Sequence, residues 1–145
     1  MKTAKRILTL FSTLLLLLAL TLSLASCGEQ IDAEGLWADA TYRSDKTFGS
    51  GENTFSVTVK VEEKSVTFTI KTDKTVVGEA LLEHQLIDGE MGDFGMYIKS
   101  VNGIRADYDV DKAYWAFYID GEYALTGVDM TPIEEGKTYE LVYSK

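Results

Sequence analysis

Residues 54–61 alternate without a break: Phe55, Val57, Val59 and Val61 are apolar, and Thr54, Ser56, Thr58 and Lys60 are polar. A period of two is the pattern of a strand with one buried face. Glu62-Glu63-Lys64 is a compact polar link, after which Ser65–Thr72 alternates again with Val66, Phe68 and Ile70 apolar. Two such runs joined by a short link predict a β-hairpin. Ahead of them, Leu36–Tyr42 (LWADATY) predicts a first strand, opened by Leu36 and Trp37 and diluted by two alanines and Asp39. Ser44–Asn53 is rich in turn formers and predicts a loop.

The period changes after Lys71-Thr72-Asp73-Lys74. Val77, Ala80, Leu81 and His84 fall on one helical stripe, with Glu79 and Glu83 beside it. Thr75 is placed to cap this helix, which should end near Ile87, before Asp88-Gly89. Gly78 costs such a helix about 1 kcal/mol relative to alanine, unless its missing side chain permits close packing on the sheet. Gly89, Gly92 and Gly95 predict an irregular loop. Met96–Val101 predicts a short strand and Asn102-Gly103 a tight turn. Tyr114–Ile119 (YWAFYI) puts Trp115, Phe117 and Ile119 on one face and Tyr114, Ala116 and Tyr118 on the other. A strand apolar on both faces should lie centrally in its sheet. Asp120-Gly121 is a second tight turn leading to Glu122–Leu125. Pro132 and Glu134–Gly136 form a loop, and Tyr139–Tyr143 is a final strand. Hairpin, helix and then several strands is an α+β order, with one helix covering a mixed sheet and additional β-hairpins. A β-grasp-like arrangement is its most economical form.

The N-terminal 27 residues follow a different logic. Lys2, Lys5 and Arg6 precede a long apolar run, and Leu24-Ala25-Ser26 leads into Cys27, the single cysteine of the chain. A basic start, an apolar stretch and small residues before a cysteine make a lipoprotein export signal. The rival is an uncleaved membrane helix, since Leu8–Leu24 begins to reach spanning length. The expected division is a signal peptide at 1–26, a lipidated N-terminus with a short polar tether at 27–35, and one domain at 36–145. Acyl chains on Cys27 would hold the domain on the extracytoplasmic side of the cell membrane, at roughly 0.8 kcal/mol per buried methylene. With its cysteine spent on the anchor, the exported part has no disulfide and no thiol metal ligand.

Charge narrows the partners. The whole chain carries 14 basic and 23 acidic residues. Three of the basic ones leave with the signal, so 11 face 23 in the mature chain, a balance of −12. Such a surface repels phosphate backbones and excludes nucleic acid as a partner.

The residues carry no catalytic constellation. His84, the single histidine, lies near the apolar stripe of the helix as a packed or capping residue. It has no thiol or second histidine to work with. Asp107, Asp109 and Asp111 have the opening spacing of a helix–loop–helix calcium site. Lys112 stands where that motif needs glycine, however, and Tyr118 where it needs a bidentate glutamate. No Gly-x-Gly-x-x-Gly, phosphate loop or HExxH is present. The notable feature is aromatic: Tyr97, Tyr108, Tyr114, Trp115, Phe117, Tyr118 and Tyr123 fall within 27 residues. One helix cannot cover both faces of an aromatic strand, so these side chains divide between core and a platform for a ligand or partner.

Gly95–Ile104 (GMYIKSVNGI), Tyr114–Tyr118 (YWAFY), Gly121, Thr126-Gly127-Val128-Asp129 and Glu135-Gly136 follow one another in a familiar order. Over about Thr54–Tyr143 the chain resembles the small C-terminal domain of transcobalamin and intrinsic factor, and its stand-alone bacterial relatives of the DUF4430 type. The resemblance implies a β-grasp-like domain, which in the vitamin carriers closes over one face of cobalamin. Carried over by position, it implies ligand contacts from Tyr97, Asn102, Tyr114, Trp115, Thr126, Gly127, Val128 and Asp129. Tyr114 and Trp115 are equally at home in a core. The chain departs from the carriers in having no helical barrel for the vitamin's other face, and no loop histidine for cobalt. The expectation is a membrane-anchored, non-catalytic module without a cofactor, binding a corrinoid or another bulky small ligand. The alternative is a structural or adhesion-type domain that meets a neighbouring envelope protein through a sheet edge.

Overall fold

The two alternating runs form the hairpin that founds the fold. In a computed structural model, which describes residues 29–145, they are β2 (Asn53–Val61) and β3 (Lys64–Thr72). Phe55 lies opposite Ile70, Val57 opposite Phe68 and Val59 opposite Val66. All six are buried on one face. The opposite face is polar, and there Thr58 and Thr67 share a hydroxyl hydrogen bond of 3.1 Å.

The last strand, β9 (Thr138–Ser144), runs parallel to β2, with Tyr139 opposite Val57 and Leu141 opposite Val59. β7 (Tyr114–Ile119) pairs antiparallel with β9, and β8 (Glu122–Tyr123) folds back on β7. β1 (Lys46–Phe48) adds a parallel edge to β3, completing the order β1-β3-β2-β9-β7-β8. Parallel first and last long strands at the centre, each flanked by an antiparallel neighbour, make the sheet β-grasp-like. One helix, α1 (Val77–Glu83), puts Val77, Ala80 and Leu81 into the same core as the sheet's buried face. Each large side chain buried there contributes roughly 1.5–3 kcal/mol. A second sheet of three strands, β4 (Ile87–Gly92), β5 (Gly95–Val101) and β6 (Ile104–Arg105), follows the helix. A single turn of helix, α2 (Tyr108–Asp111), leads from it into β7.

Several expectations are corrected. Leu36–Tyr42 is not a strand; Gly35–Ala38 is a 3-10 turn that buries Trp37 alone. The segment lacks alternation, and it is held instead by the Asn102 turn. The loop expected at Ser44–Asn53 contains β1, because Phe48 packs edge-on against Tyr42 and Phe68. Thr75 does not cap the helix with its side chain. The Val77 N–H donates to the Thr131 carbonyl, and the Thr75 carbonyl accepts from the Ile133 N–H. The first of these bonds pairs one of the helix's free N–H groups with main chain in place of a side-chain cap. The helix stops at Glu83, short of Ile87, because Gln85 turns left-handed at φ 55°. The Leu86 N–H then closes on the Leu81 carbonyl, a stop that glycine usually makes.

The glycines expected to mark a loop lie in the β4–β5 hairpin. Gly89 sits at a bulge where a Cβ would come within 2.2 Å of the Tyr97 carbonyl oxygen. β7 is not central, since its outer neighbour β8 has only two residues. The aromatic strand lies beside a nearly open edge, and this placement creates the candidate site. The export signal and Cys27 lie outside the described residues. Among the described residues, no helix is long and apolar enough to cross a membrane.

Candidate binding groove

Two pieces of local chemistry fix the surroundings of a groove between β5 and β7: one anchors the far end of β5, the other forms a wall. The first is the turn that ends β5. Asn102 and Gly103 take φ of 52° and 82°, the left-handed pair that a tight hairpin requires. The Asn102 side chain is buried. Its Nδ2 donates to the Tyr42 carbonyl at 2.7 Å, and its Oδ1 accepts from the Tyr42 N–H at 2.9 Å. The Asn102 carbonyl also accepts from the Thr41 N–H at 2.8 Å. Asn102 therefore fastens the N-terminal segment to the end of β5.

The second piece is the loop after β8. Val128–Met130 forms a 3-10 turn, and Asp129 Oδ1 accepts from the Met96 N–H at 2.9 Å, tying this loop to the start of β5. Thr131 Oγ1 donates to the Gly127 carbonyl at 2.8 Å and lies 3.2 Å from Thr126 Oγ1. Val128 points into the core. Gly78 of α1 packs against this turn, not against the sheet: a Cβ there would stand 2.9 Å from the backbone of Val128 and Asp129. The helix thus supports the loop from behind.

Along this loop, between β5 and β7, runs an open groove of about 320 Å³. Met96, Tyr97 and Ile98 line it from β5, Tyr114, Trp115 and Phe117 from β7, and Tyr123–Val128 from β8 and its loop. Six of the eight sequence-expected positions meet there: Tyr97, Tyr114, Trp115, Thr126, Gly127 and Val128. Asp129 holds the wall from outside, and Asn102 does not line the groove. Trp115 is only 7% exposed, with its indole N–H donating to the Ile104 carbonyl at 3.2 Å and its ring edge-on to Tyr143. It serves as floor more than as platform. The accessible surface is Tyr97 at 42%, Tyr123 at 60% and Leu125 at 99% exposure. Phe117 and Tyr123 enter from the aromatic cluster noted in the sequence, whereas Met96 and Leu125 were not singled out there. An isolated leucine between turn residues was the available signal for Leu125.

The other candidates serve the fold. Asp107 Oδ1 accepts from the Asp109 N–H at the start of α2. The Asp111 carboxylate accepts from the Ala113 N–H and the Tyr143 hydroxyl, which hold it below the usual carboxylate range. Burial and that same hydrogen bond raise Tyr143. Among the described residues, no three His, Cys, Asp or Glu side chains are grouped to hold a metal ion. His84 packs against the Phe48 ring at the end of α1, with its Nε2 buried and unpartnered.

The sequence profile of "Domain of unknown function (DUF4430)" matches residues 73–145, half of the chain. A protein from Ruminococcus gnavus ATCC 29149, provisionally described as metal binding, is 33% identical in sequence, with a TM-score of 0.60. The match covers 65% of this chain and 98% of that one. The chain belongs to the DUF4430 family. Haptocorrin, solved in complex with Cbi, matches this DUF4430 protein with a TM-score of 0.51 and 20% identity. That match covers 68% of this chain and 27% of haptocorrin, so the domain spans about a quarter of the carrier's length. At this identity the likeness is one of fold. No curated protein matches the sequence.

Proposed function

We propose that this DUF4430 protein is a non-catalytic module that binds a bulky, flat small molecule in the β5–β7 groove. The convergence of Tyr97, Tyr114, Trp115 and the 126–128 loop on one concavity carries this reading. Aromatic rings offer apolar area with a polar handle, the chemistry that suits a large planar ligand with polar substituents. A corrinoid fits that description, and the fold shared with haptocorrin favours it as the first ligand to test. The metal-binding description of the Ruminococcus protein is not carried over, given the lack of a ligand cluster among the described residues. Sheet-edge pairing with a partner is the weaker reading. The edges of the large sheet have three and two residues, and β4 is interrupted by its bulge. Short or irregular edges resist strand addition.

The proposal extends to location. A lipidated Cys27 would hold the module at the outer face of the cell membrane, close to any envelope protein that supplies or takes its ligand. Titrating cobalamin and cobinamide into the purified mature domain tests the ligand. The expected result is a shifted corrinoid spectrum with quenched tryptophan emission, lost in Tyr97→Ala without a change in unfolding midpoint. Silence with both corrinoids at high micromolar concentration removes that ligand class. A response unchanged by Tyr97→Ala removes the groove.

A further inference from the structure

Beside the groove, on the other side of Tyr97 and Tyr114, lies a larger hollow of about 670 Å³. It is built from three tyrosines of separate elements: Tyr97 of β5, Tyr108 of α2 and Tyr114 of β7. Glu90, Asp107 and Asp109 share its wall. We propose that this hollow binds an organic ammonium ion, a primary or quaternary alkylammonium group, whether or not the groove takes a ligand; the two share Tyr97 and Tyr114 as a common wall.

Several observations lead to that chemistry. Tyr97 and Tyr108 are 42% and 53% exposed, so two of the three rings keep open surface. A tyrosine face attracts a cation through its ring quadrupole. This protein already uses that attraction twice. Lys112 Nζ stands 5.0 Å from the Tyr108 ring centroid, and Lys46 Nζ stands 4.1 Å from that of Tyr42. The charge balance of the wall points the same way. Its single cation, Lys99, is held by Glu90 at 2.8 Å. Asp107 pairs with Arg105 at 3.5 Å and accepts from the Asp109 N–H at 3.1 Å. Asp109, exposed and outside every ion pair among the described residues, is available to a ligand. With Glu90 and Asp107 paired, Asp109 is the free charge of the wall, and in a domain of strongly negative balance it disfavours an anion. A neutral apolar ligand would gain nothing from it.

Amide chemical shifts of the mature domain test the proposal, with tetramethylammonium and choline as probes and 3,3-dimethylbutan-1-ol as the neutral isostere of choline. Both cations should produce saturable shifts at residues 88–92, 97–99 and 106–114, weakening as salt is raised. The neutral alcohol should bind at least about fivefold more weakly. Tyr108→Ala, at a half-exposed position, should weaken cation binding roughly three- to tenfold and leave any corrinoid response of the groove unchanged. Asp109→Asn should weaken it less and flatten the salt dependence. Equal shifts from the neutral alcohol would overturn the cation preference. The proposal also fails if saturable shifts are absent at tens of millimolar cation, or if Tyr108→Ala leaves affinity unaltered.

Discussion

Asn102 shows how much one side chain can organise. It is buried at 1% exposure, bonds both polar groups of Tyr42, and keeps a left-handed φ in the turn that ends β5. Replacing it with alanine would leave the Tyr42 N–H and carbonyl unpaired, so Asn102→Ala should cost about 2–4 kcal/mol. Urea unfolding followed by tryptophan emission would measure that loss; an unchanged midpoint would contradict the role. Asp120 organises the other tight turn. It accepts from Lys137 Nζ at 2.8 Å and from the Thr138 N–H at 2.9 Å, and these bonds hold it below the usual carboxylate range. A carboxylate lowered in the folded state adds stability above its unfolded value, which is lost as pH falls through the folded value. Asp120→Asn tolerates the same φ of 52° and should therefore flatten the acid limb of the stability profile. Thermal melts across the acid range would reveal a limb as steep as the parent's if the carboxylate contributes nothing.

At the scale of elements, α1 and the 126–131 loop act as one unit. Gly78 brings the helix against the backbone of Val128 and Asp129, and the Thr131 carbonyl meets the first N–H of the helix. By helix propensity alone, Gly78→Ala should stabilise by about 1 kcal/mol. The contact reverses the sign, because the new Cβ strikes main chain that has to move. Gly78→Ala should lower the melting temperature and shift the amide signals of residues 126–129; a higher melting temperature would refute the contact. The same elements mark where the sequence stops being readable. Alternation made β2 and β3 legible, since a one-residue slip would expose every buried side chain, and an unbroken aromatic run made β7 legible. The end of α1 was hidden because Gln85, not glycine, takes the left-handed stop. β4 was hidden because a bulge needs the glycine that otherwise signals a loop. The aromatic residues of the site were legible by type. Their division into floor and surface was not: Trp115 is buried by its contacts with Ile104 and Tyr143, whereas Tyr97 of the second sheet stays open, and both depend on tertiary packing.

At the scale of the whole molecule, the domain is strongly negative in balance, and the proposed attachment to a membrane rests on Cys27 alone. The proposed lipidation predicts that Cys27→Ser moves the protein from a detergent-extracted membrane fraction to the aqueous one. Retention of the serine variant in membranes would favour an uncleaved apolar segment over lipidation. Whether the groove binds a corrinoid is decided by mapping cobinamide onto the domain with amide chemical shifts. Saturable perturbations are expected at residues 96–98, 114–117 and 123–128, with the signals of β1 and β3 unmoved. Perturbations confined to β1, or spectra identical with and without ligand, would contradict binding in the groove.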